Sequence, residues 1–275
     1  MEYKKGHTIK PKETLTNGVV VFTDGTSDVS PNQISCEAYG YKWNRANNTC
    51  YGFSSNFKIE KLFKNTTNTK IGSENVTERA TENTFINGKK NRTKGNNRNL
   101  LISGESHEVS NGIDNASVFG TFGKALRQAE VVIGGGGALG LNQTSFVQLN
   151  GKTTSATVTD LTVQGDGSSY IAVQNNSVLG FEVKVIALVS GGSSGTAGHY
   201  KYFEITGAVL IENDYTTTFS QSTATIASSG TTGTVQMEDV STGYITVEVT
   251  GTENVNIEWF ASVQLTENKL VSVTF

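Results

Sequence analysis

Apolar and polar residues alternate in short runs along the second half of the chain. The runs are TSFVQLN, ATVTDLTVQ, YIAVQ, VLGFEVKVIALV, YKYFEITGAVLI, STATIA, GTVQM, YITVEV, VNIEWFASVQL and LVSVTF, with Gly, Asn, Ser or Asp between them. Period-two alternation marks half-buried strands, and nine or ten of them over residues 141–275 predict an antiparallel β-sandwich. The terminal run Leu270–Phe275 is expected to be a closing strand. The longest break, Ser190–Gly198 (SGGSSGTAG), is expected to be a flexible, solvent-facing loop.

A different regularity governs residues 67–140. The segments TNTKIG, NTFING, NLLISG, NASVFG and AEVVIG follow one another, ending at Gly72, Gly88, Gly104, Gly120 and Gly134. The spacings are 16, 16, 16 and 14 residues. Asn83, Asn99 and Asn115 open three of the segments. Three residues past each glycine stand Asn75, Asn91, His107 and then Gly123. Sixteen residues are too few for a helix-turn-helix unit and enough for two short strands with two turns. Gly and Asn supply the left-handed conformation that tight corners need. This predicts a parallel β-roll of about five rungs, with the apolar pairs Phe85 and Ile86, Leu101 and Ile102, Val118 and Phe119, and Val132 and Ile133 directed into a core. One rung cannot bury its apolar face alone, so rungs stack. A thin roll still exposes an apolar side, which three copies around an axis would cover. His107 is expected to be a turn residue, and Gly134–Gly140 (GGGGALG) a flexible neck.

Composition agrees with an all-β chain. Gly accounts for 30 of 275 residues, Asn for 25 and Pro for 2, which favours strands and turns and excludes collagen. No apolar stretch approaches the 18 residues of a membrane span, and the N-terminal MEYKKGHTIKPKE lacks the apolar core of a secretory signal. The net charge of −3 is unevenly divided. Residues 1–98 hold 16 basic and 9 acidic side chains, a net of +7, and residues 99–275 hold 6 and 16, a net of −10. The two ends are therefore suited to different surroundings.

Residues 1–66 carry Lys4, Lys5, Lys10 and Lys12, the aromatics Tyr39, Tyr41 and Trp43, and both cysteines. With little alternation before Val19, this segment is expected to order on docking to another protein. Cys36 and Cys50 are either one disulfide or two thiols. A hairpin centred on Ala46 would place Cys50 opposite Lys42, so a bridge would need a bulged loop.

The repeat, in NLLISG-ESHEVSNGID, NASVFG-TFGKALRQ and AEVVIG, resembles the head of YadA-type trimeric autotransporter adhesins. That resemblance implies a left-handed parallel β-roll in a homotrimer. Gln143–Val163, the FEVKVIALV and YKYFEITGAV strands, and IEWFASVQLTE resemble a C-terminal module of phage fibre proteins. VFTDGTSDVSPNQISCEAYGYKWNRANNTCYGF resembles the leading segment of phage structural proteins. Together these imply a virion fibre, assembled in the host cytoplasm. Residues 1–66 would attach to tail or capsid proteins and residues 141–275 would bind a host-cell surface glycan or protein. The alternatives are a head fibre or capsid decoration protein, and a bacterial trimeric surface adhesin. The missing signal and anchor argue against the last.

The chemistry of catalysis is sparse in the sequence. His7, His107 and His199 lack metal-ligand spacing, and no nucleophile elbow, phosphate loop or zinc-protease motif occurs. Glu105, Glu108 and Asp114 fall in one rung and are expected to be solvated. The basic run Gly88–Arg98 lacks the interleaved aromatics of a nucleic-acid surface. The expectation is therefore no enzymatic activity, no cofactor, no metal, no nucleic-acid partner and no membrane insertion. Candidate receptor-contacting residues are Ser190, Ser193, Ser194, His199, Tyr200 and Tyr202, because loops on a rigid scaffold carry recognition and aromatics supply contact area.

Overall fold

The computed structural model describes residues 9–52, 67–230 and 233–270. Lys4, Lys5, His7 and the closing run beyond Leu270 lie outside the described residues. The chain divides into two compact units, residues 1–66 and 67–275.

The first unit contains a three-stranded antiparallel sheet of β1 (Lys10–Thr14), β2 (Val20–Thr23) and β3 (Asp28–Val29). Helix α1 (Gln33–Ala38) follows, then the hairpin β4 (Lys42–Asn44) and β5 (Thr49–Tyr51). Local polar chemistry sets its corners. Asp24 Oδ1 accepts the amides of Thr26 and Ser27, both at 2.8 Å, and closes the β2–β3 turn. Asn32 caps α1 by accepting the Ser35 amide at 2.8 Å, and the Ser35 hydroxyl accepts the Asn32 amide in return. The core is small: Val20, Phe22, Cys36 and Cys50 are buried, with Tyr39 and Tyr41 set edge-on to the Phe22 ring. Two expectations are corrected. Residues 10–14 are an ordered strand. The Cys36–Cys50 disulfide needs no bulged hairpin, because Cys36 comes from α1 and Cys50 lies opposite Trp43 in β5.

The second unit opens with a parallel β-solenoid. Long strands β6 (Thr69–Ser73), β8 (Glu82–Lys89), β10 (Arg98–Glu105), β12 (Ser117–Thr121) and β14 (Val131–Gly135) pair in register. Short strands β7 (Val76–Thr77), β9 (Arg92–Thr93), β11 (Glu108–Val109) and β13 (Lys124–Ala125) form the opposing sheet. Five long and four short strands make about four turns rather than five full rungs. Gly72, Gly88, Gly104, Gly120 and Gly134 stand directly above one another. A Cβ on Gly104 would lie 2.0 Å from the Gly120 carbonyl oxygen, and its φ of +134° is one that other residues rarely adopt.

Side-chain ladders tie the rungs. Asn83 donates to Asn99 Oδ1 at 3.1 Å, and Asn99 to Asn115 Oδ1 at 2.9 Å; all three have φ between 50° and 60°. Inside the roll, the Asn91 amide donates to Asn75 Oδ1, the His107 amide to Asn91 Oδ1 and the Gly123 amide to His107 Nδ1. His107 is thus a buried ladder member and not a solvated turn residue. The apolar pairs split. Ile86, Ile102, Val118 and Val132 fill the core, while Phe85, Leu101 and Ile133 face outward, because successive side chains of a strand point to opposite faces.

Gly134–Gly140 is a turn, not a neck. Strand β15 (Asn142–Thr153) folds back antiparallel on β14, with Gln143 opposite Gly134. The chain continues as β16 (Val158–Asp160), β17 (Thr162–Val163), β18 (Ile171–Ala172), β19 (Ser177–Gly191), β20 (Tyr200–Ile211), β21 (Thr217–Ser228), β22 (Thr234–Ser241), β23 (Tyr244–Thr250) and β24 (Asn256–Lys269). One sheet runs without interruption in the order β21-β20-β19-β24-β15-β14-β12-β10-β8-β6. A smaller antiparallel sheet of β16, β23, β18 and β22 shares a core with its C-terminal part, including Leu149, Leu161, Ile205, Met237, Ile245 and Trp259.

Where the solenoid meets this core, the Arg127 guanidinium is fully buried. It donates to the carboxylates of Glu130 and Glu267 and to the Ala172 carbonyl. Gln143 adds a hydrogen bond to Glu267 at 2.8 Å. A buried arginine is tolerable only when its donors are satisfied this fully.

Candidate functional site: the outer face of the continuous sheet

The even-numbered residues of β15, β19 and β24 point away from the core, and register brings them into rows. One row reads Asn150, Phe260, Ile186 and Tyr202; the next reads Lys152, Glu258, Leu188 and Tyr200. These rows line much of a hollow of about 610 Å³, closed on one side by Gln164 and Gly165. Ile186, Leu188 and Phe260 form an exposed apolar floor. At the rim, Lys152 Nζ meets Glu258 Oε1 at 2.8 Å, both side chains remaining open to solvent. The next rows outward add Lys184 opposite Glu204, then Glu182.

Tyr200 and Tyr202 therefore belong to this face. The Tyr202 hydroxyl donates to Glu204 Oε1 at 2.8 Å, and that bond holds the phenol above its ordinary pKa. Phe203, next in sequence, turns inward and stacks on Trp259 at 6.4 Å between centroids. Ser190 sits at the end of β19, with its hydroxyl donating to the Asn256 carbonyl at 3.3 Å. Ser193 and Ser194 are exposed in the β19–β20 loop, and His199 is half-buried at its end. That loop is tied down: the Ser194 amide donates to Asn254, and the Gly198 amide to Val189. The structure joins the tyrosines to the hollow through β-sheet register, whereas the serines occupy the adjoining loop. Asn150, Ile186, Leu188 and Phe260 were missed by sequence reasoning. Their signal was available as the polar-phase positions of the alternation that nonetheless carry apolar side chains.

Two of the carboxylates expected on a solvated corner lie elsewhere. Glu108 is largely buried between Lys94 (3.0 Å) and Lys124 (3.8 Å), and Asp114 keeps a buried Oδ1 without a partner, while Glu105 is exposed. Among the described residues no cluster of His, Cys, Asp and Glu could hold a metal ion.

No protein-family model and no curated protein matches the chain. Solved structures do. The Acinetobacter baumannii phage AM24 tailspike protein is 12% identical, with 75% of this chain and 50% of that one covered and a TM-score of 0.27. Tailspike gp49 of Acinetobacter baumannii bacteriophage Fri1, a capsular polysaccharide depolymerase, is 9% identical over 70% and 44%, with a TM-score of 0.29. The tailspike of Acinetobacter phage vB_ApiP_P1 is 9% identical over 74% and 48%, with a TM-score of 0.21. The chain spans about half the length of these structures. The expectation of no enzymatic activity is corrected here, since one of these proteins is a depolymerase. Its sequence basis, the scarcity of grouped carboxylates, also fails. Glu182, Glu204 and Glu258 share one face, and on the smaller sheet burial raises the Glu238 pKa, with Asp239 and Glu248 adding to the shift.

Proposed function

We propose that this chain is a phage virion component of the tail-fibre kind that contacts the host-cell surface. In this reading residues 1–66 attach to other virion proteins and the solenoid is a left-handed spacer within a homotrimer. Residues 141–275 meet a surface glycan or protein. The observation that supports it is the outer face of the long sheet. Phe85, Leu101, Val131 and Phe146 follow one another across β8, β10, β14 and β15, each between 37% and 41% exposed, with Ile71 and Ile133 beside them. A contiguous apolar stripe of this length is a contact surface, and cyclic packing of three copies covers it without leaving an open end.

Light scattering on the full chain tests the assembly. A mass about three times the 29.4 kDa of one chain is expected, and Leu101→Asp should shift it toward one chain. Host contact is tested by adding the trimer to cells before phage; reduced adsorption is the expected result, and a monomer that leaves adsorption unchanged overturns the reading. Release of soluble saccharide in the same mixture reports any cleavage.

A further inference from the structure

The hollow on the outer face is built for an amphipathic ligand. Its floor is apolar and flat, made by Phe260, Ile186 and Leu188 from neighbouring strands. Its rim is polar and uncommitted. The side-chain amides of Asn150 and Gln164 make no hydrogen bond among the described residues, so each brings a free donor and a free acceptor to the edge. The Lys152–Glu258 pair uses one of three ammonium donors and leaves carboxylate lone pairs open. A ligand that satisfies both surfaces needs a C–H face for the floor and a ring of hydroxyls for the rim. A pyranose has both. The volume of about 610 Å³ lies inside the roughly 300–1,000 Å³ of small-molecule sites and has room for about three such rings.

Charge narrows the class further. Residues 141–275 hold four lysines and no arginine against twelve carboxylates. Glu182 and Glu204 lie on the same outer face as the hollow, with Lys184 the nearby cation in their rows. A field of this sign repels polyanions and leaves neutral ligands unaffected.

We infer that this hollow binds a neutral oligosaccharide of hexose or N-acetylhexosamine units, and discriminates against acidic polysaccharides. The inference rests on the host-surface reading and specifies its ligand. The apolar floor stacks on the sugar faces, the free amides read hydroxyls, and the surrounding acidic field excludes uronic acids.

The test uses the full chain and saturation-transfer NMR with neutral trisaccharides, set against matched trisaccharides bearing one uronic acid, at 20 mM and 150 mM salt. Binding of a neutral trisaccharide is expected, at least tenfold tighter than its uronic counterpart at the lower salt. Phe260→Ala should weaken it tenfold or more without moving the melting temperature, since that ring is exposed. Leu210→Ala, exposed on the same face outside the hollow, should leave it unchanged. Tighter uronic-acid binding, no neutral binding, or an unaffected Phe260→Ala overturns the inference. Adsorption competition by the wild-type chain separates the two claims. Competition without saccharide binding removes the hollow as a glycan site and leaves host contact standing; loss of both removes both.

Discussion

The Gly123 amide donates to His107 Nδ1 at 2.9 Å, sixteen residues away in sequence and one rung away in space. A neutral imidazole accepts there; a protonated one cannot. Burial holds the His107 pKa below its ordinary value, opposed by the carbonyls of Ser103 and Gly120, though neither meets Nε2 in hydrogen-bond geometry. In the unfolded chain the imidazole takes up its proton near pH 6.5. Stability should therefore be full above that value, fall as pH drops through it, and level off below the folded pKa. Asn is the ladder residue one and two rungs earlier, so His107→Asn should keep the hydrogen bond at all pH. Melting curves at pH 7.5 and 5.0 should show a larger loss for the wild type, by about 1–3 kcal/mol for the orphaned amide. Equal losses in both proteins would show that the imidazole does not titrate against the fold.

The stacked glycines give a second prediction. Gly104→Ala places a methyl group 2.0 Å from a carbonyl oxygen of the next rung, where backbone and not a flexible side chain must move. The loop residue Gly195 is no permissive control, because a Cβ there would meet the Gly191 carbonyl oxygen at 2.1 Å. Gly198 has open space, and only its φ of +90° resists substitution. Gly104→Ala should cost more than about 3 kcal/mol and Gly198→Ala about 1 kcal/mol in denaturant titrations. Similar costs would contradict the close stacking.

Arg127 is expected to hold the end of the solenoid to the C-terminal core. Arg127→Met leaves Glu130 and Glu267 buried without a cation and should destabilise residues 67–275 by about 3–5 kcal/mol. Adding Glu130→Gln and Glu267→Gln should recover part of that loss. If the triple variant is no more stable than the single one, the charges are not the cause.

The first unit should depend on its disulfide. Two of its four fully buried core residues are the bridged cysteines themselves, and closing a 14-residue separation is worth about 3 kcal/mol. Small cores of this size rarely stand without such a staple. Treatment with a dithiol, or Cys36→Ser, should make residues 9–52 sensitive to protease while residues 67–275 stay resistant. Uniform resistance would show that the apolar contacts around Phe22 suffice.

Much of the fold was legible because strand and solenoid signals are local. Period-two alternation located β15, β19, β20 and β24, and the 16-residue spacing aligned Gly72 through Gly120 before any pairing was seen. The candidate face was legible only in part. Tyr200 and Tyr202 were singled out for their side chains, yet nothing local says that Phe260 and Ile186 stand beside Tyr202. That proximity is set by the register of three strands 58 to 74 residues apart.

The sequence by itself determined the all-β character, the parallel stacking period and the charge division, since each is a property of residue type and spacing. Tertiary structure decided what spacing cannot encode. It turned Gly134–Gly140 into a hairpin, because β15 finds the free edge of β14. It buried His107 and Glu108, because the rungs above and below supply their hydrogen-bond and ionic partners. It also drew Arg127 and Glu267 together across 140 residues, because a guanidinium shut away from water is stable only where a second carboxylate can reach it.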